Sequence, residues 1–187
     1  MELVPDTFNN LIFIFLKHPT SISVQIFLYY LFYKNTFVYN DLIIYPSMFM
    51  YWTFNEWFIH KFFFHTKFNW IGKKYHIDHH KKTYYHVCFD NVVLIWIWIC
   101  FYYNLFYYSL YLINKPNYIT NIMIPYTISG YMYMFFHYSA HCKYIPKNYY
   151  WKIIIEHHKK HHKQNTSKNF SFILPFFDSV FKTNIIN

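Results

Sequence analysis

Glycine occurs only twice in the 187 residues, at Gly72 and Gly130. Loops that cradle phosphate with successive backbone amides need glycine at several fixed positions, so P-loop and dinucleotide-binding enzymes are excluded. Arginine is absent: all 17 basic residues are lysine. Together with the excess of Phe, Tyr, Ile and Asn, this matches the bias of an AT-rich genome, which accounts for part of the 27 % aromatic content. Acidic residues number only 8, leaving a net charge of +9. Cysteine is limited to Cys88, Cys100 and Cys142, an odd number that indicates no disulfide framework. Glu2 and Asp6 stand where a secretory leader would be basic, so no cleavable signal peptide is expected. No repeat of solenoid length is present.

What the chain does have is apolar surface, 55 % of its residues. An apolar run extends from Val92 to Ile113 and another from Tyr118 to Phe136, separated by Asn114, Lys115, Pro116 and Asn117. Each run is about 20 residues, which at about 1.5 Å per residue crosses a hydrocarbon core of about 30 Å. A soluble core would have to bury both helices all round with too little remaining chain to cover them. The short connection turns the chain straight back. Leu11–Leu16, halted by Lys17, His18 and Pro19, and the borderline run Ser21–Tyr33 read together as one interrupted or tilted membrane helix. The segment Leu42–Phe64 is also long enough to span, but carries Glu56, His60 and Lys61 near its end. A carboxylate at mid-bilayer costs about 2.5–3.5 kcal/mol, so Glu56 is expected near the interface or beside a partner.

Lysine placement orients these passages. Lysines 61, 67, 73, 74, 81 and 82 precede the Val92 run, and eight more follow the last one. By the positive-inside rule both stretches face the cytosol. The charge then reflects topology and anionic headgroups rather than nucleic acid, which is not an expected partner. The sequons at Asn165 and Asn169 fall on the same side and are expected to be unused.

Thirteen histidines are not explained by compositional bias. They cluster as His60 and His65; His76, His79 and His80; His137 and His141; and His157, His158, His161 and His162, all just outside the expected spans and on one side. Spacing of i, i+3, i+4 places 76/79/80 and 158/161/162 each on one helix face, and 137/141 forms an i, i+4 pair. For scattered histidines one HxxHH pattern would be expected about 0.06 times per chain and two about 0.002 times. The 60/65 pair lies about 140° apart on an ideal helix, so these residues either reach two different metals or meet at a π-bulge. His18 and His86 read as polar interfacial residues. His157 reads as a solvent-facing neighbour of the ligand face, or as a substitute ligand if the helix starts one residue differently.

Neutral imidazole is the commonest nitrogen ligand of iron, zinc and copper. Ten clustered histidines exceed what one zinc ion takes, so two metals sharing them is the simpler account. Asp78 and Glu156 are the only carboxylates in the immediate clusters, unlike the glutamate-rich soluble di-iron bundles. Redox iron with an open position beside a membrane points to dioxygen chemistry on a lipid chain.

These motifs resemble the membrane fatty acid hydroxylase and sterol desaturase superfamily, and within it most closely the fatty acid 2-hydroxylases. The first histidine box is matched by residues 52–65, with Glu56, His60 and His65 and with Lys61 where arginine is usual. His76-Ile-Asp-His79-His80 resembles the second box, Tyr133 through His137 and His141 the third, and His157-His158-Lys-Lys-His161-His162 the last. The run from Asn169 and Phe170 to Phe177, Asp178 and Phe181 falls where the family has its glycine-phenylalanine and Trp-Asp signature, with Ser171 and Phe177 in place of Gly and Trp. Met134 stands where aspartate is usual, and the interval from His65 to His76 is short.

The expectation is an all-α integral membrane bundle of about four transmembrane helices with a cytosolic histidine-rich helical cap. It forms one domain over 1–187, with an N-terminal membrane region 1–41 and a catalytic core 42–183. The resemblance implies that His60, His65, His76, His79, His80, His137, His141, His158, His161 and His162 hold two irons, with zinc possible in purified protein. It further implies dioxygen as co-substrate, a lipid substrate, and a separate cytochrome b5 with its reductase as electron donors in the endoplasmic reticulum membrane. Glu56 and Asp178 are the candidate groups that orient imidazole N–H donors, as against an interfacial anchor and a helix cap. The rival readings are a sterol or sphingoid-base hydroxylase or desaturase of the same superfamily, and a non-enzymatic membrane metal-binding protein. A carrier would place its histidines along a path within the spans.

Overall fold

The computed structural model describes residues 4–35, 41–82, 91–164 and 166–185, and its regular structure is helical. His86, Cys88 and Asn165 lie outside the described residues. The helices are α1 (Phe8–Lys17), α2 (Pro19–Lys34), α3 (Asp41–Ile59), a π-helical turn (His60–Phe64), α4 (Ile71–Lys81), α5 (Val92–Leu112), α6 (Ile119–Ala140), α7 (Tyr149–Lys163) and α8 (Phe176–Val180), with a 3-10 turn at Pro116–Tyr118 before α6. No strand occurs among the described residues.

The break anticipated at Lys17–Pro19 is real: α1 ends at Lys17 and α2 begins at Pro19. Pro19 cannot donate to the helix before it but suits the first position of the helix after it. His18 caps that new start, its Nδ1 accepting from the Thr20 amide at 3.3 Å. α5 is 21 residues long and apolar on every side, and of its residues only Tyr102 and Leu110 are buried. Val93, Ile97, Phe101 and Leu112 are all exposed. A helix with this composition and exposure is suited to an apolar solvent. Among the described residues it is the one helix long and apolar enough to cross a membrane alone, and the bent α1–α2 pair passes as one broken span. α3 and α6 have the length, 19 and 22 residues, but not the apolarity. Glu56, Thr53 and Asn55 interrupt α3, and Thr120, Asn121, Thr127 and Ser129 interrupt α6. The hairpin between α5 and α6 closes as expected, with Asn114 in the left-handed region at φ 56°. Asparagine tolerates that conformation better than most side chains.

The chain divides into two compact units. One comprises Lys17–Trp52 and Asp90–Tyr131. Its helices meet through aromatic rings: Phe27 on Trp96, and Tyr126 against Tyr51, Tyr102 and Phe106. Gly130 lets α6 approach Trp52, since a Cβ there would lie 3.3 Å from the indole nitrogen.

The other unit comprises Met1–Leu16, Thr53–Phe89 and Met132–Asn187, and contains every clustered histidine. Its core is Ala140, Ile154, Ile155 and Phe172, flanked by Tyr133, Phe136 and Trp151. Phe15 of α1 packs on Phe135 and Tyr138, and Trp57 stacks on Phe181 at 4.1 Å. Cys142 is buried and donates to the Tyr138 carbonyl; burial pushes its thiol up to about 12, so it is inert.

α7, which carries the last histidine box, begins at an asparagine cap: Asn148 Oδ1 accepts from the Trp151 amide at 2.9 Å. Asn148→Ala is expected to cost about 1 kcal/mol, read as a lower midpoint of thermal unfolding in detergent.

Candidate metal centre

The ten histidines expected as ligands converge in two groups of five. His60, His65, His76, His80 and His161 form the first, and His79, His137, His141, His158 and His162 form the second. Within each group one ligand nitrogen per residue lies within 4.8 Å of every other. The HxxHH boxes are divided between the groups in opposite senses. α4 gives its i, i+4 pair, His76 and His80, to the first group and His79 to the second. α7 gives its pair, His158 and His162, to the second and His161 to the first. Each group is completed by a private pair, 60/65 or 137/141.

The five-residue interval of 60/65 is accommodated by the π-helical turn, in which the His65 amide donates to the His60 carbonyl at 3.2 Å. The i→i+5 bond of that turn brings together residues that an α-helix would separate. Both imidazoles therefore enter the same group.

In the first group His76 is the hub. Its Nε2 lies 3.1 Å from His60 Nε2 and 3.0 Å from both His65 Nε2 and His80 Nε2. His161 Nε2 is 3.1 Å from His80 Nε2. An imidazole nitrogen carries either one proton or one lone pair, so His76 Nε2 can form at most one of these three contacts as a hydrogen bond. The other two would be repulsive without a cation among the lone pairs. Nitrogens bound at about 2.1 Å to one metal lie about 3.0 Å apart at right angles and about 3.4 Å apart at the tetrahedral angle. The observed spacing fits the right-angled arrangement. In the second group the corresponding contacts are His79 to His137 and His141 to His158, each 3.1 Å.

Burial, reinforced by neighbouring imidazoles, makes these histidines hard to protonate. His65, His79 and His161 are pushed down to about 4 and His80 to about 3. His76, His141 and His158 are displaced the same way for the same reasons. All are therefore neutral at pH 7, the form that binds metal.

Aromatic rings hold the histidines from behind. Phe64 stacks on His76 at 4.9 Å, and Trp70 on Phe64 at 5.7 Å. Trp70 Nε1 donates to the Phe63 carbonyl at 2.7 Å. A Cβ at Gly72 would fall 2.1 Å from the Trp70 ring. Gly72→Ala is accordingly expected to expel that ring and loosen His76, lowering metal content without unfolding the chain; metal analysis beside a thermal melt checks it.

Glu56 and Asp178 make no hydrogen bond to the ten histidines. Glu56 Oε1 accepts from the Phe172 amide at 2.7 Å, while its buried Oε2 has no hydrogen-bond partner. Asp178, fully buried, lies inside α8 rather than capping it. It accepts from the amides of Phe170 and Ser171, from the Thr183 hydroxyl, and from His157 Nε2 at 2.9 Å. His157 is thus not a solvent-facing neighbour. One residue from His158 on α7, it points to α8, where the buried Asp178 carboxylate holds it. Asp78 and Glu156 are exposed. The groups that accept from the imidazoles are backbone carbonyls with no mark in the sequence: Phe170 O receives His60 Nδ1 and Lys168 O receives His161 Nδ1, each at 2.6 Å. Between them Asn169 adopts φ 57°, with its amide bonded to the His157 carbonyl and the Ile185 amide, which leaves it closed to glycosylation.

Among protein families, the fatty acid hydroxylase family matches residues 45–183, a span containing all ten histidines. The chain belongs to that family. No curated protein and no solved structure matches it. As a fatty acid hydroxylase family member it is an oxidoreductase of the lipid hydroxylase and desaturase type, working in a membrane context, with histidine clusters that fit metal binding.

Proposed function

We propose that this fatty acid hydroxylase family member is a di-iron, dioxygen-dependent monooxygenase of lipid acyl chains, placing a hydroxyl at carbon 2 of the fatty acyl group of ceramide-type sphingolipids. The observation that carries this reading is the pair of five-imidazole groups, free of carboxylates and spaced for right-angled coordination. Five nitrogen donors at such angles suit iron with an open position better than tetrahedral zinc.

In this reading His60, His65, His76, His80 and His161 hold one iron and His79, His137, His141, His158 and His162 the other. The bound metal would supply redox chemistry toward dioxygen. Overall, one oxygen atom enters a C–H bond and the other leaves as water, with two electrons and two protons consumed. The chain's own residues set the conditions. Phe170 O and Lys168 O fix the His60 and His161 tautomers so that Nε2 presents a lone pair. Phe64 on His76, Tyr133 on His137 and Phe172 on His158 restrict the rings and exclude water. A cytochrome b5 and its reductase supply the electrons. Residues 1–187 act as one hydroxylase domain in the endoplasmic reticulum membrane, with core 42–183 and with histidines facing the lysine-rich cytosolic side.

Mass spectrometry of sphingolipids from cells lacking the chain tests this reading. The expected result is loss of one oxygen from the acyl moiety, restored by re-expression. A change confined to sterols or the sphingoid base would overturn the assigned substrate, and purified chain that bound zinc but neither iron nor an electron donor would overturn the enzyme.

A further inference from the structure

The two histidine groups have similar ligand sets but unlike surroundings. In the first, His60 and His161 each donate Nδ1 to a carbonyl of one short segment, residues 168–170, at 2.6 Å. That segment is fastened from several directions. Asp178 takes the Phe170 and Ser171 amides at 2.9 and 2.7 Å, and the Asn169 amide donates to the Thr183 carbonyl at 2.7 Å. The Thr183 hydroxyl in turn donates to Asp178 at 2.6 Å and accepts from Trp57 Nε1 at 3.0 Å. His157 closes the network on the other carboxylate oxygen.

Among the described residues nothing comparable anchors the second group. The Nδ1 atoms of His79 and His137 are buried without a hydrogen-bond partner, and His162 has none at either nitrogen. In the first group His80 Nδ1 is likewise unpartnered, but two of the five imidazoles are anchored. A hydrogen bond from the far nitrogen fixes a ligating imidazole's tautomer and orientation and raises its basicity, and losing such a partner typically costs about 10–100-fold in metal affinity.

Resting on the function proposed above, we infer that the two metal positions are inequivalent: the group around His76 retains its metal, the group around His79 releases its metal first, and Asp178 is the positioning residue behind the difference. Asp178 acts on His60 through the Phe170 carbonyl, and on His161 through the same segment.

The test is chelation of the purified full chain in detergent after loading with Zn2+, with release followed colorimetrically under excess EDTA. Two phases of one equivalent each are expected, with the slow phase about 10–100-fold slower than the fast one. His141→Ala is expected to abolish the fast phase and His65→Ala the slow phase, which assigns them. Asp178→Asn is expected to accelerate the slow phase by about 10–100-fold and leave the fast phase unmoved. Thr183→Ala acts in the same direction to a smaller extent, and Thr183→Ser restores the parent rate. If Asp178→Asn does not fold, the two Thr183 variants decide the matter. Release of two equivalents in a single phase, or equal acceleration of both phases by these variants, overturns the inference and leaves the proposed function standing. Failure to bind any metal overturns both.

Discussion

Replacing His76 with alanine is expected to remove one of two metals per chain and to reduce hydroxylated lipid below detection. His76 Nε2 lies within 3.1 Å of three ligand nitrogens of the first group. Its loss leaves His60, His65 and His80 without their common neighbour, and leaves Phe64 facing a void where an imidazole had stacked. The second group takes no direct contact of that kind from His76, so His137, His141, His158 and His162 are expected to keep their arrangement and one metal. His161→Ala should produce the same loss of product. His18 provides the control: it is a histidine of the same chain whose ring caps α2, so His18→Ala is expected to cost stability while metal content stays at two. Metal analysis and lipid mass spectrometry on the three variants check this together. A His76→Ala chain that kept both metals and formed product would refute the site.

The histidines were legible because helix geometry is local. An i, i+3, i+4 pattern places imidazoles on one face whatever the rest of the chain does. The division of each HxxHH box between two groups was not legible, since it depends on how α4 and α7 approach each other in space. The 60/65 pair marks the boundary between these cases. Its interval left two outcomes open, and the π-helical turn at His60–Phe64 realises one of them. Membrane passages show the same gradation. α5 is apolar on all sides and needs no tertiary information, whereas α3 and α6 mix Glu56, Asn55, Asn121 and Ser129 with apolar residues, so their surroundings depend on packing. Glu56 and Asp178 were expected to orient imidazole N–H donors, but Glu56 and one side of the Asp178 network bind backbone amides of residues 170–172, which no residue type announces. His157 was misplaced for a related reason: only the fold brings Asp178 within reach of it.

Acid is expected to destabilise the metal-free chain steeply, and the sign follows from the imidazoles. An exposed histidine in the unfolded chain titrates near about 6.5. In the folded chain burial and the surrounding imidazoles hold His65, His79 and His161 at about 4 and His80 at about 3. Between those values the unfolded chain binds protons that the folded chain refuses, so stability rises with pH across the interval and is lost as pH falls through it. Above about pH 7 both states are neutral at these positions and the contribution is flat. Thermal melts of chelated protein in detergent should therefore give a constant midpoint from pH 8 to about 7 and a falling one from about 6.5 toward 4. Loading with metal should raise the midpoint at neutral pH, because a ligand bound only by the folded state stabilises it. That gain should vanish on acidification as protons compete for the same nitrogens. His80→Asn removes the lowest of the four numbered values and should make the metal-free curve shallower. A midpoint independent of pH between about 7 and 4 would show that the clustered imidazoles are not buried neutral, and with that the physical basis for two preformed metal positions would fall.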